Sequence, residues 1–211
     1  MIGILGGSFD PVHHGHLRLA LEVLEALDFD HVRLIPLNQP NAAKSPIASG
    51  TLRLEMLQAA VASEPRLRVD DRELRRGGIS YTVDTLQSLR EEMPDQPLCL
   101  VLGMDAFRGL RSWHQWQRLL TLSHLVIAKR PGAPAPDSTE VGDLLESARV
   151  DNSVILQRHI CGKIYTQTIS QLDISSTQIR ERLRSGRSVR YLLPNAVLDI
   201  INRHALYQQQ E

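Results

Sequence analysis

The sequence predicts an α/β fold built on a doubly wound parallel sheet, and three observations carry that prediction. Short apolar runs that stop at Gly or Pro alternate with stretches of helical periodicity. The first 36 residues already run strand, glycine turn, helix, strand, a βαβ unit that places its strands parallel through a right-handed crossover. The chain has 211 residues, enough for one domain to bury a full core.

The elements follow in order. Met1 to Leu5 is an apolar run stopped by Gly6 and Gly7, so it is a buried strand. From Gly15 the period changes, and Leu17, Ala20, Leu21, Leu24 and Leu27 form one helical face. Val32, Leu34 and Ile35 make a second strand, ended by Pro36. Thr51 to Ala62 is a helix, Arg66 to Val69 a short strand, and Tyr81 to Met93 a helix. Cys99 to Leu102 is a buried strand ended by Gly103, and Leu125 to Ala128 another, ended by the turn Arg130-Pro131-Gly132. Ile164 to Gln167 is one more candidate strand. Pro131 to Asp137 is a proline-rich loop, and Ser138 to Val150 a weak, peripheral helix. Two helices, Ser176 to Ser185 and Pro194 to His204, close the chain. The expected organisation is one domain over residues 1–211, with a C-terminal helical part at about 174–207.

Composition narrows the function classes. Hydrophobic residues make up 42% and charged residues 23%, which excludes a disordered, collagenous or coiled-coil chain. Twenty-four basic residues balance 24 acidic ones, where a protein that coats nucleic acid or a membrane surface carries a basic excess. Cys99 and Cys161 form neither a metal motif nor a disulfide framework. With no signal-peptide pattern and no apolar run of bilayer length, a cytoplasmic protein is expected.

The segment Gly6-Gly7-Ser8-Phe9-Asp10-Pro11-Val12-His13-His14-Gly15-His16 joins the first strand to the first helix. Ligand crevices of open α/β sheets lie at such strand ends. The glycines let backbone N–H groups approach a ligand, and the helix N-terminus at Gly15 is a phosphate cradle. His13 and His16 flank it and can donate to phosphate oxygens. No Gly-Lys-Ser/Thr follows, and the glycine spacing is not the dinucleotide fingerprint. A plain tight turn and a metal site on the two histidines remain as alternatives, although no third ligand is spaced nearby. A second cradle opens at Ile174-Ser175-Ser176-Thr177-Gln178-Ile179-Arg180. Ser175 and Gln178 fit a capping box, Gly186 ends the helix, and Arg180 lies one turn in. The alternative there is an ordinary capped helix with a solvated arginine.

The first segment resembles the signature of the nucleotidylyltransferase superfamily, His-x-Gly-His preceded by Gly-Gly-Ser/Thr-Phe-Asp-Pro. The second resembles its Ile-Ser-x-Thr-x-Ile-Arg signature. The resemblance implies a Rossmann-like fold and attack of a substrate phosphate on the α-phosphorus of a nucleoside triphosphate. It implies catalytic roles for His13, His16 and Arg180. It also implies ATP contacts from Gly6, Gly7, Ser8, Phe9, Gly15, His16, Gly103, Asp105, Ser175, Ser176, Thr177 and Arg180. Mg²⁺ is expected to arrive with ATP, with no metal held by the protein itself.

The middle of the chain separates the superfamily's members. Tyr81 and Thr82, in Ile79-Ser80-Tyr81-Thr82-Val83-Asp84-Thr85-Leu86, open a helix after Gly77-Gly78, where a carboxylate is welcome. Asp105 follows a strand end at Gly103, where a carboxylate can accept from sugar hydroxyls. Trp113 can stack on a pyridine ring, while Trp116 reads as core. With Arg130-Pro131-Gly132 and Gly162-Lys163-Ile164-Tyr165, this set resembles the bacterial nicotinate-mononucleotide adenylyltransferases, from Ile2 to Tyr207. That implies ATP and nicotinate mononucleotide as substrates, with Tyr81, Thr82, Asp105 and Trp113 on the acceptor. It leaves oligomeric state open. One departure stands out. Where that family has Pro-Pro-His-Lys/Arg, this chain has Pro40-Asn41-Ala42-Ala43-Lys44. Lys44 is the nearby base that can replace the histidine, and Arg53 is a weaker candidate. The alternatives are nicotinamide mononucleotide or phosphopantetheine as acceptor, or a nucleotide-binding sensor without catalysis.

Overall fold

The computed structural model describes residues 1–41, 45–131, 147–170 and 172–208. Seven parallel strands form one sheet in the order β3-β2-β1-β4-β5-β7-β6. They are β1 (Ile2–Gly7), β2 (His31–Pro36), β3 (Leu67–Val69), β4 (Leu98–Gly103), β5 (His124–Lys129), β6 (Arg149–Val150) and β7 (Ile164–Thr168). From β1 the chain winds outward through β2 to β3, then returns to lay β4 on the other side of β1. The strand order therefore reverses between β1 and β4, and a crevice opens at their carboxyl ends.

The helices are α1 (His14–Ala26), α2 (Gly50–Val61), α3 (Arg72–Arg76), α4 (Thr82–Glu92), α5 (Met104–Arg108), α6 (Leu119–Leu122), α7 (Val154–Gln157), α8 (Ser176–Arg184) and α9 (Asn195–Arg203). Side-chain alternation along the strands splits the core in two. Cys99 and Val101 of β4 face Val23 and Leu24 of α1, Met56 and Leu57 of α2, Ile179 of α8 and Ile201 of α9 in one cluster. Leu98, Leu100 and Leu102 join Val83, Leu86 and Leu89 of α4 with Phe107 and Leu110 in the other. Truncating a residue as buried as Leu24 or Leu86 to Ala costs about 2–5 kcal/mol.

Each expected strand and helix up to β5 is present, with ends shifted by a residue or two, as element boundaries commonly are. β7 and both C-terminal helices also form where expected. Caps explain two starts. Ser49 Oγ accepts the Leu52 N–H at 3.3 Å, and Ser175 Oγ accepts the Gln178 N–H at 3.1 Å. The expected helix at 138–150 is corrected at its end, where Arg149–Val150 form edge strand β6 against Ile164 and Tyr165 of β7. Most of that helix and of the 131–137 loop lies outside the described residues. The short α3 and α5 were not expected. Among the described residues no helix is long and apolar enough to cross a membrane.

Candidate active site

The β1–α1 turn builds the first half of the site. Phe9 adopts φ 47°, a left-handed conformation that is rare for a bulky residue and persists only when its surroundings impose it. Its ring is fully buried and meets the His16 ring edge-on at 5.0 Å between centroids. His13 is the N-cap of α1. Its backbone N–H donates to His16 Nδ1 at 3.4 Å, and the two imidazoles stack with centroids 3.7 Å apart. Gly15 permits this approach, since a Cβ there would lie 3.0 Å from His13 Nδ1 and 3.3 Å from the Ile174 carbonyl oxygen.

Burial sets the charge of the pair. Desolvation, aided by His14, lowers the His13 pKa from 6.5 to about 4. Desolvation, aided by His13, lowers that of His16 to about 3. Both rings are therefore neutral near neutrality, each with one N–H to donate. Among the described residues His13 Nδ1 is buried without a hydrogen-bond partner. Such an atom in a functional loop marks a place for a ligand or water.

The second signature docks onto the first. Ser176 Oγ donates to the Pro11 carbonyl at 2.9 Å. Arg180 Nη1 donates to the Asp10 carbonyl at 2.7 Å, and Nη2 donates to Thr177 Oγ1 at 3.2 Å. The Asp10 carboxylate is itself a junction. It accepts the Ile47 N–H at 2.8 Å, the Ala48 N–H at 3.0 Å and the Tyr207 hydroxyl at 2.7 Å, with Arg180 Nη1 at 3.6 Å. Thus His13, His16, Ser176, Thr177 and Arg180 are gathered around the β1–α1 turn.

Arg53 turns out to be a brace. Its side chain is 1% exposed and donates to the carbonyls of Ala48 at 3.2 Å, Ser8 at 2.8 Å and Asn38 at 3.4 Å. It secures the loop from below, with its donors turned to backbone.

A cavity of about 390 Å³ opens beside Gly6 and Gly7, with Tyr81, Thr82 and Trp113 in its wall. Ile4, Ile35, Leu86 and Leu102 make the rest largely apolar, the composition expected of a small-molecule site. The Tyr81 ring lies 4.4 Å from that of His114. Glu73 of α3 also lines the cavity. It accepts the Thr85 hydroxyl at 2.6 Å, and burial pushes its pKa up. Residue-level patterning overlooked Glu73, because its neighbours Arg72, Arg75 and Arg76 make the segment read as solvated surface. Gly103 ends β4, but Asp105 lies in the first turn of α5 with an almost fully exposed carboxylate 3.5 Å from Arg108. Neither lines the cavity. Trp116 packs against the second core cluster, as expected. Lys44 lies outside the described residues. Among the described residues no three His, Cys, Asp or Glu side chains are grouped to hold a metal.

This arrangement can be compared with known proteins. The cytidylyltransferase-like family profile matches residues 4–182. A Methylococcus capsulatus protein named "Probable nicotinate-nucleotide adenylyltransferase" is 47% identical over 98% of this chain and 99% of its own. The chain belongs to the nicotinate-nucleotide adenylyltransferase family. An Aeromonas salmonicida protein of the same name is 44% identical over 98% of this chain and 97% of its own. Among solved structures, a Plasmodium falciparum nicotinic acid mononucleotide adenylyltransferase complexed with NaAD superposes with a TM-score of 0.74. It shares 19% identity over 98% of this chain and 96% of its own, so the likeness is one of fold. As a member of this family the chain is a nucleotidyltransferase of NAD biosynthesis.

Proposed function

We propose that the chain transfers AMP from ATP to the 5′-phosphate of nicotinate mononucleotide, giving nicotinate adenine dinucleotide and pyrophosphate, at the junction of the two signatures. The observation that carries this is the docking of Arg180 and Ser176 onto Asp10 and Pro11. It sets a guanidinium and a helix N-terminus beside two neutral imidazoles, next to a ring-sized cavity.

The acceptor phosphate is already a nucleophile, so the site needs no general base. Positioning and neutralisation of developing charge supply the catalysis. His13 and His16 donate to the α-phosphate oxygens as they pass through the transition state. Arg180 and the N-terminus of α8 hold the leaving pyrophosphate, with the Ser175, Ser176 and Thr177 hydroxyls beside them. Gly6, Gly7, Ser8, Phe9 and Gly15 shape the loop around the nucleotide. Gly103 and Asp105 sit at the β4 end, where ribose is the hydroxyl-bearing partner. Tyr81 and Thr82, at the start of α4, receive the nicotinate carboxylate, and Trp113 stacks on its ring. Lys44 is assigned to the acceptor phosphate by its charge alone. Mg²⁺ bound with the triphosphate would supply charge neutralisation on its oxygens. The Asp10 carboxylate is already engaged by three hydrogen bonds, so the ion would be held by the triphosphate and water. The free thiols of Cys99 and Cys161 support a cytoplasmic setting.

Pyrophosphate release tests the assignment, with nicotinate mononucleotide, nicotinamide mononucleotide and phosphopantetheine as competing acceptors. Release is expected to be fastest with the nicotinate compound. Faster release with either of the others overturns the choice of acceptor. ATP binding with no release from any of them marks a nucleotide sensor instead.

A further inference from the structure

We propose that Tyr207, near the end of the chain, is a positioning residue for the transfer, acting through Asp10 to keep Arg180 available to the triphosphate. The inference rests on the ATP role assigned to Arg180 above.

The geometry is specific. Tyr207 is 5% exposed and Asp10 3% exposed, and the hydroxyl donates to Asp10 Oδ1 at 2.7 Å across 197 positions of sequence. Tyr207 adopts φ 62°, a left-handed backbone that costs an aromatic residue energy and persists where the surroundings over-determine it. Phe9, the residue before Asp10, is likewise left-handed at φ 47°.

The hydrogen-bond accounting gives the consequence. Oδ1 accepts from Tyr207 and from the Ala48 N–H. Oδ2 accepts from the Ile47 N–H and faces Arg180 Nη1 at 3.6 Å, beyond a direct bond. Three short donors thus satisfy the carboxylate, and Arg180 bonds to the Asp10 carbonyl and Thr177 instead of closing on it. Arg53, the other cation whose charge reaches Tyr207, spends its donors on backbone carbonyls. Without the hydroxyl, a buried carboxylate lone pair is left open, which is costly. The nearest movable donor is Arg180. Drawn onto Asp10, it is withdrawn from the leaving group.

The variant Y207F removes one oxygen and keeps the ring's packing. The expected result is a rise in KM for ATP of roughly tenfold, the scale of one hydrogen bond to a charged group, with KM for nicotinate mononucleotide unmoved. ATP affinity measured by calorimetry without acceptor should fall by the same factor, a readout that stands even if the acceptor assigned above is wrong. Incorporation of para-aminophenylalanine at position 207, which restores a donor, should restore ATP affinity. On an R180K background the effect of Y207F should vanish. Unchanged ATP affinity in Y207F at temperatures where it is folded overturns the proposal. So does equal loss for both substrates, or losses that add fully to those of R180K.

Discussion

The imidazole rings of His13 and His16 lie stacked, their centroids 3.7 Å apart and their planes 27° from parallel. Two cations could not share that spacing in a buried site, and burial lowers both pKa values well below 6.5, so both rings are neutral near pH 7. In the proposed mechanism the stack acts as a pair of preorganised N–H donors. Replacement of one preorganised donor typically lowers turnover by roughly 10²–10³. The variant H16A is therefore expected to lose turnover by that factor in a pyrophosphate-release assay, with its circular dichroism spectrum preserved. Turnover near that of the wild type would remove His16 from the mechanism.

The same neutral rings make stability depend on pH. His13 and His31 have folded pKa values near 4 and His16 near 3, all below the ordinary 6.5. Burial dominates in each case, with Arg68 and Arg33 adding to it at His31. Burial lowers His124 as well, and its Nδ1 accepts the Lys163 N–H at 3.1 Å. The unfolded chain thus binds protons first as pH falls, and stability rises with pH wherever that holds. Stability should be full above about pH 6.5 and decline steadily toward about pH 4. Urea titrations across that window check the slope, and H124N or H31N should flatten it. A stability profile level between about pH 7 and 5 would contradict the buried neutral assignment.

The fold was more legible than the site because periodicity reports burial, and burial is what makes this sheet. The run Cys99 to Leu102 shows a buried strand, and the order reversal at β1 and β4 then locates the crevice. Side-chain direction is not written that way. Arg53 is a weaker phosphate candidate because it matches a basic position of the family, yet burial of Met56 and Leu57 on the same helix carries its guanidinium under the Ser8 carbonyl. Asp105 follows a strand end, but its place relative to the cavity is not legible: the chain enters α5 at Met104 and leaves the carboxylate exposed at the β4 end, outside the cavity wall. Tyr207 gave no local signal, since its partner lies at the other end of the chain.

Arg90 shows how one side chain can hold three chain segments. Its guanidinium donates twice to the Leu122 carbonyl, at 3.2 and 2.7 Å, and also to the carbonyls of Met93, Pro94, Gln96 and Ile160. It thereby ties the end of α4 to the end of α6 and to the turn before β7. A lysine keeps the charge but cannot present a planar fork. R90K should lose about 2–4 kcal/mol of stability, several carbonyls being left without their donor. KM for both substrates should stay at wild-type values, because none of these carbonyls belongs to the cavity. A wild-type melting temperature for R90K would show the clamp to be idle.

Trp113 and Trp116 offer an internal control for the acceptor cavity. Both rings are half-buried against the same core cluster, so truncating either removes comparable apolar packing. Only Trp113 lines the cavity with Tyr81 and Thr82. A stacked aromatic pair contributes about 0.5–1.5 kcal/mol beyond the area it buries. W113A should therefore raise KM for nicotinate mononucleotide by roughly tenfold once the lost apolar contact is added. KM for ATP should hardly move, and W113F should recover most of the loss. W116A should lower the melting temperature while leaving both KM values in place. If W116A instead weakened the acceptor as much as W113A, the ring would be acting through the core, and its stacking role would be refuted.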